Sequence, residues 1–144
     1  MSQALPKGNF QWLEGDINLN NLDLDGSKGY VFEVDLEYPS HLHDKHNCYP
    51  LAPERLAIKD SWLSEHQNSL LKKYSMTNSN IPKLTPNLFD KTNYIVHGKN
   101  LKFYLDQGMI LKKVHRALSF DQSKWLEEYI DFNTQQRTLA KNDF

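Results

Sequence analysis

The residues from Tyr30 to Tyr38 constrain the fold more than any other stretch of this 144-residue chain. Apolar and polar side chains alternate there in the order Y-V-F-E-V-D-L-E-Y. Successive side chains of a strand point to opposite faces. The pattern therefore predicts a strand with one apolar face and one face that carries Glu33, Asp35 and Glu37. Pro39 ends this strand, because proline cannot donate a hydrogen bond to the ladder.

The remaining periodicity predicts a mixed α+β fold. We predict further strands at about residues 9–13, 54–58, 93–97 and 109–120, and helices over about 61–75, 100–107 and 123–144. Ser61 is the predicted N-cap of the first of these helices, and Gly108 is the predicted stop of the second. The expected architecture is an antiparallel sheet with helices on one side.

Composition and charge exclude several classes of protein. The formal net charge is −1, so no field of the whole chain attracts nucleic acid or a membrane surface. Cys48 is the single cysteine, which rules out an internal disulfide and fits a reducing compartment. No apolar run is long enough to span a membrane, and the N-terminus lacks a signal-peptide pattern. We expect a soluble intracellular protein with no membrane partner.

The loop after the first strand contains a cluster of side chains that bind zinc in other proteins. It reads H-x-H-x-x-H-x-C, formed by His41, His43, His46 and Cys48. A four-ligand site within eight loop residues would be strained, however, and no second ligand cluster occurs elsewhere. The commoner alternative is that the histidines cap a turn and pair with Asp44. We therefore predict no metal site here.

The acidic face of the strand also has two interpretations. Asp35 and Glu37 share that face, and two such carboxylates can hold a divalent ion. The alternative is a solvated outer face of an antiparallel sheet. Nearby Lys45 and Arg55 are the expected ion-pair partners in that case.

Two groups of basic residues are candidates for binding phosphates. The first group lies on one predicted strand and consists of Lys112, Lys113 and Arg116. These residues are candidates to contact a nucleic-acid phosphate backbone. The alternative is that such a cluster only makes the surface soluble. Arg137 and Lys141 are four residues apart on the last predicted helix, so they project from one face. Two cations so placed can hold a polyphosphate, but this spacing is frequent on exposed helices.

Three long sequence segments resemble a known family. They are M-S-Q-A-L-P-K-G-N-F-Q-W-L, then G-Y-V-F-E-V-D-L-E-Y-P-S-H-L-H-D-K-H-N-C-Y-P-L-A-P-E, then the whole stretch from Lys83 to Phe144. Together they resemble the polymerase part of type B DNA polymerases of the organellar and viral group. The nearest likeness is to the polymerase of Maverick/Polinton-type self-replicating transposons, which is similar to protein-primed polymerases.

The resemblance implies a DNA-directed DNA polymerase, which transfers deoxynucleotides to a primer 3′ hydroxyl under the direction of a template. Residues 1–122 would be a palm-derived segment with an inserted region, and residues 123–144 the start of the fingers helix. Arg137 and Lys141 fall where basic residues of the family contact the incoming triphosphate. Lys112, Lys113 and Arg116 are the residues that we expect to contact DNA.

The resemblance places the catalytic machinery outside this chain. The family's metal-binding aspartates precede the M-S-Q-A-L-P phrase and recur well after A-K-N-D-F, so Asp35 is not one of them despite its D-x-x-Y-P setting. Both ends of the chain are expected to be cut from a longer polymerase that uses Mg²⁺. We thus expect an inactive fragment with no catalytic residue and no bound metal of its own.

The implied partners of the parent enzyme are DNA, deoxynucleoside triphosphates and, if the parent is protein-primed, a terminal protein. The nucleus and other sites of DNA replication are both compatible locations. A different class of function stays open beside this one. In that alternative the chain is a stand-alone DNA-binding or protein-interaction module, left when a transposon polymerase decayed.

Overall fold

The computed structural model describes residues 3–14, 17, 19, 22–24, 26–79 and 81–140. These residues divide into two compact units: unit 1 comprises residues 1–37 and 90–144, and unit 2 comprises residues 38–89. Within the described ranges, no helix is long and apolar enough to cross a membrane. The fold is mixed α+β with an antiparallel sheet, as the sequence predicts.

Among the described residues, unit 1 contains a four-stranded antiparallel sheet and two α-helices. Its elements are β1 (Leu5–Trp12), β2 (Lys28–Glu37), β5 (Lys91–His97), α3 (Gly98–Asp106), β6 (Ile110–Ser123) and α4 (Glu127–Leu139). The strand order in the sheet is β1-β6-β2-β5. Strand β2 is central, and its apolar face forms the core: Phe32, Val34 and Leu36 are at most 1% exposed. Leu101 of α3 is also fully buried. Alternation thus predicted both the strand and its buried face.

The described part of unit 2 contains a two-stranded antiparallel sheet, two α-helices and two short 3₁₀ helices. Its elements are α1 (His43–His46), β3 (Glu54–Leu56), α2 (Glu65–Lys73) and β4 (Lys83–Thr85). A short helical turn follows Pro39. Strand β3 confirms the predicted strand after Pro53. Strand β4 was not predicted, because three residues between two prolines carry too little periodicity.

Several predicted boundaries were wrong. Helix α2 is capped by Ser64 rather than Ser61, since Ser64 and Gln67 form a capping box with hydrogen bonds of 2.8 and 3.2 Å. Strand β6 continues through Ser123, so α4 begins four residues later than predicted. Gly108 does follow α3, with a left-handed φ of 102° that favours glycine.

Strand β1 is longer than predicted and includes Pro6 and Gly8. It is an edge strand, so the missing N–H of Pro6 costs no ladder hydrogen bond on its open side. Register shifts on both sides of Gly8 interrupt its pairing with β6. The ring of Phe120 lies so close to the backbone of Gly29 that a side chain at this position would overlap it. This close approach explains why position 29 is a glycine.

Candidate functional site

The acidic and basic clusters of the sequence lie on the same face of unit 1. Strands β2 and β6 are antiparallel neighbours, with Glu33 opposite Arg116 and Asp35 opposite Lys113. The carboxylates of β2 therefore face the cations of β6. We call this surface the paired-charge face; it consists of Glu33, Asp35, Glu37, Lys112, Lys113, His115 and Arg116.

Two ion pairs and one histidine–carboxylate contact join the two strands across this face. Lys112 Nζ is 2.6 Å from Glu37 Oε2, and His115 Nε2 is 2.8 Å from Asp35 Oδ1. Arg116 Nε donates to the carboxylate of Glu33. The hydrogen bond and the charge of Glu37 raise the pKa of Lys112 above its ordinary value. Ion pairing of the carboxylates was expected, but with Lys45 and Arg55; that assignment was wrong, and the partners come from β6.

Arg116 also contacts an aromatic ring. Its guanidinium lies over the indole of Trp12, 5.2 Å from the ring centroid, in a cation–π contact. Trp12 is 60% exposed, and with Val31, Ile95 and Leu118 it gives this end of the sheet an apolar surface. Arg116 is thereby held between a ring and a carboxylate.

Asp35 occupies the most organised position on the paired-charge face. Its Oδ1 accepts a hydrogen bond of 2.8 Å from the backbone N–H of Asn93, in addition to the contact with His115. Both neighbouring strands have register shifts beside Asp35, and such bulges redirect groups toward a neighbour. The Asn93 hydrogen bond, then His115 and the charge of Lys113, lower the pKa of Asp35.

We predict that Asp35 makes the stability of unit 1 sensitive to acid. A lowered carboxyl pKa in the folded state stabilises that state above the ordinary aspartate pKa, and this contribution disappears as the carboxyl becomes protonated below about pH 4. The melting temperature of Asp35→Asn should lie below that of the wild type at neutral pH and approach it in acid. Thermal unfolding monitored by circular dichroism across this range measures the difference.

Exposed Asp106 provides the control, because Asp106→Asn should shift the melting temperature little at either pH. A constant gap between wild type and Asp35→Asn from neutral to acid pH would contradict the assigned role.

The carboxylates opposite the cations of β6 weaken the case that this strand contacts DNA. Lys112 and Arg116 each face a carboxylate, and Lys113 lies opposite Asp35. Three basic side chains therefore meet three carboxylates on one surface, which leaves little net field for a polyanion. DNA contact by Lys112, Lys113 and Arg116 stays a prediction.

The histidine-rich loop holds a buried tyrosine in unit 2. Tyr38 is 3% exposed, and its hydroxyl accepts a hydrogen bond from the Leu51 N–H (3.1 Å) while it contacts His46 Nδ1 (2.9 Å). His43 Nε2 is 3.2 Å from the Tyr38 carbonyl oxygen. The rings of His43 and His46 both meet the Tyr38 ring edge-on. These two histidines therefore fix the loop around Tyr38.

The described part of the chain contains no group of three or more His, Cys, Asp or Glu side chains placed to hold a metal ion. The carboxylates of Asp35 and Glu37 are already engaged by His115 and Lys112. The described residues therefore do not fit the two-metal centre that the polymerase resemblance implies for the parent enzyme.

The predicted nucleotide-binding pair is only partly visible. Arg137 lies in the last turn of α4 and is exposed. Lys141 lies outside the described residues. Helix α4 ends at Leu139 and Ala140 is extended, so the predicted unbroken helix from 123 to 144 was wrong. Triphosphate contact by Arg137 and Lys141 stays a prediction.

Comparison with known proteins gives no family assignment. No protein-family model matches the sequence. No curated protein and no solved structure matches it either.

Proposed function

We propose that this chain is a segment of a DNA-directed DNA polymerase of the type B, organellar and viral group. The observation that best supports the proposal is the continuous segment from Gly29 to Glu54, which resembles that family throughout its length. An antiparallel α+β fold is compatible with a palm-derived segment. The fold does not by itself imply the function, because many unrelated proteins share such sheets.

The proposal assigns the chemistry to residues beyond these 144. Nucleotidyl transfer needs two metal ions that align the primer hydroxyl and the triphosphate for in-line attack. The parent enzyme would use Mg²⁺ for this purpose, and nothing in this chain is assigned as its ligand. The segment would instead support the structure beside the catalytic centre. The buried face of β2 and the ion pairs between β2 and β6 would provide this support.

Two sets of residues have proposed roles within the parent enzyme. Arg137 and Lys141 would contact the incoming deoxynucleoside triphosphate. Lys112, Lys113 and Arg116 would contact DNA, with a contribution reduced by their carboxylate partners. A terminal protein would serve as primer if the parent is protein-primed, and the site of action would be wherever that parent replicates DNA.

The reading frame around this chain tests the proposal. We expect an aspartate motif shortly before Met1 and an Asn-(Ser/Ala)-x-(Tyr/Phe)-Gly motif shortly after Phe144 when the flanking DNA is sequenced and translated. In-frame stop codons on both sides, with neither motif within reach, would contradict the proposal and favour the stand-alone module.

A further inference from the structure

Unit 2 carries the excess positive charge of this protein. Residues 38–89 contain six Lys and Arg and four Asp and Glu, whereas the rest of the chain contains eleven basic and fourteen acidic residues. All six cations are exposed: Lys45, Arg55, Lys59, Lys72, Lys73 and Lys83. In the described part of the chain none of them forms an ion pair, in contrast to the cations of β6. The charge of unit 2 is therefore available to an anionic partner.

Unit 2 also contains an aromatic-lined cavity of about 390 Å³. The rings of Trp62 and Phe89 form one side, with centroids 5.4 Å apart and planes tilted by 54°. Ile58 and Pro86 add apolar surface. Trp62 is 42% exposed and Phe89 is 53% exposed, so both rings are accessible to a planar ligand.

Two amide side chains in the cavity have unused hydrogen-bonding groups of opposite kind. Gln67 uses its carbonyl oxygen to cap α2 at the Ser64 N–H, which leaves its NH₂ group. Asn78 uses its NH₂ group on the Ile58 carbonyl and on Asp60, which leaves its carbonyl oxygen. A donor and an acceptor beside two exposed aromatic rings match the polar edge of a nucleobase.

A cation lies directly beside the aromatic wall. Lys59 Nζ is 5.4 Å from the centroid of the Trp62 ring. One lysine suits a single backbone phosphate better than the cluster of charges on a triphosphate. The other five cations are distributed over the exposed surface of unit 2, which suits a ligand with phosphates at intervals.

We propose that unit 2 binds single-stranded nucleic acid, with one unpaired base in the cavity against Trp62 and Phe89 and a neighbouring phosphate at Lys59. The amides of Gln67 and Asn78 contact the edge of that base. This site is independent of the polymerase proposal, because it rests on the side chains of unit 2 alone. It also differs from the basic strand of unit 1 that the sequence indicated.

Fluorescence anisotropy of the full 144-residue chain with a labelled oligothymidylate of about 16 nucleotides tests the site. We expect Trp62→Ala to weaken binding about tenfold, within the range of base–aromatic stacking, and Trp62→Phe to retain most of the affinity. Trp125→Ala is the matched control, since Trp125 lies in unit 1 and is 57% exposed. Its affinity should equal that of the wild type, and circular dichroism verifies that all variants are folded.

Two competitors separate stacking from other modes of binding. An abasic strand of the same length, which offers only phosphates, should compete about tenfold less well than the normal strand. Free thymidine triphosphate should compete weakly. The proposal is overturned if the abasic strand or the triphosphate competes as well as the normal strand, if Trp62→Ala binds like the wild type, or if no single strand binds. The last result would leave the cavity to an apolar protein segment.

Discussion

Replacing Phe32 with alanine is expected to lower the free energy of unfolding by about 3–5 kcal/mol. Phe32 is completely buried at the centre of β2, opposite Ala117 of β6 and Val96 of β5. Its ring lies 3.2 Å from the position that a side chain at Gly98 would occupy, so α3 closes over it. Truncation would leave a cavity that the rigid sheet cannot fill.

Urea denaturation followed by circular dichroism measures this loss. Phe103→Ala is the matched control, because Phe103 lies on α3 and is 50% exposed, and its replacement should change stability by no more than about 0.5 kcal/mol. A domain is ordinarily stable by about 5–15 kcal/mol, so the Phe32 variant should lose a large share of its stability. Equal effects of the two replacements would contradict the assigned core.

Replacing Tyr38 with phenylalanine is expected to cost about 1–3 kcal/mol, although it removes one oxygen atom and changes no other heavy atom. The Tyr38 hydroxyl is the hydrogen-bond partner of His46 Nδ1 and of the Leu51 N–H. Its loss would leave two polar groups without that partner beside a buried ring, and such groups pay the full cost of desolvation.

Tyr49 provides the control for this second variant, because it lies in the same loop and is 87% exposed. Tyr49→Phe should leave the unfolding midpoint unchanged within error. Amide hydrogen exchange at Leu51 adds a local measurement, and it should become faster in Tyr38→Phe. An unchanged midpoint together with unchanged exchange at Leu51 would show that the loop does not depend on this hydrogen bond.

Elements with strong local patterns were predictable from the sequence. The alternation over β2 identified the strand and its buried face, and Gly108 identified the end of α3. Elements that depend on neighbours were not predictable in the same way. Strand β1 begins earlier than predicted despite Pro6, because the open edge of a sheet tolerates proline. The division of the chain into two units is not visible in any local sequence pattern.

The candidate sites were predictable as residues but not as arrangements. The sequence shows the carboxylates of β2 and the cations of β6, but their pairing joins Glu33 to Arg116 across most of the chain. Strand neighbours are set by tertiary packing, so the neutral character of this face became visible only in the fold. The spacing of Lys59 and Trp62 was the one local signal for the cavity in unit 2, and it is too common to identify a site.

Primer extension tests the polymerase proposal most directly. The assay compares the 144-residue chain with a longer protein expressed from a reading frame extended to the two flanking motifs that the proposal expects. Each protein is given a primed template, Mg²⁺ and deoxynucleotides. We expect the longer protein to extend the primer and the 144-residue chain to give no product, because the proposal places the metal-binding aspartates in the added segments. Extension by the 144-residue chain alone, or none by a folded longer protein, would contradict the proposal.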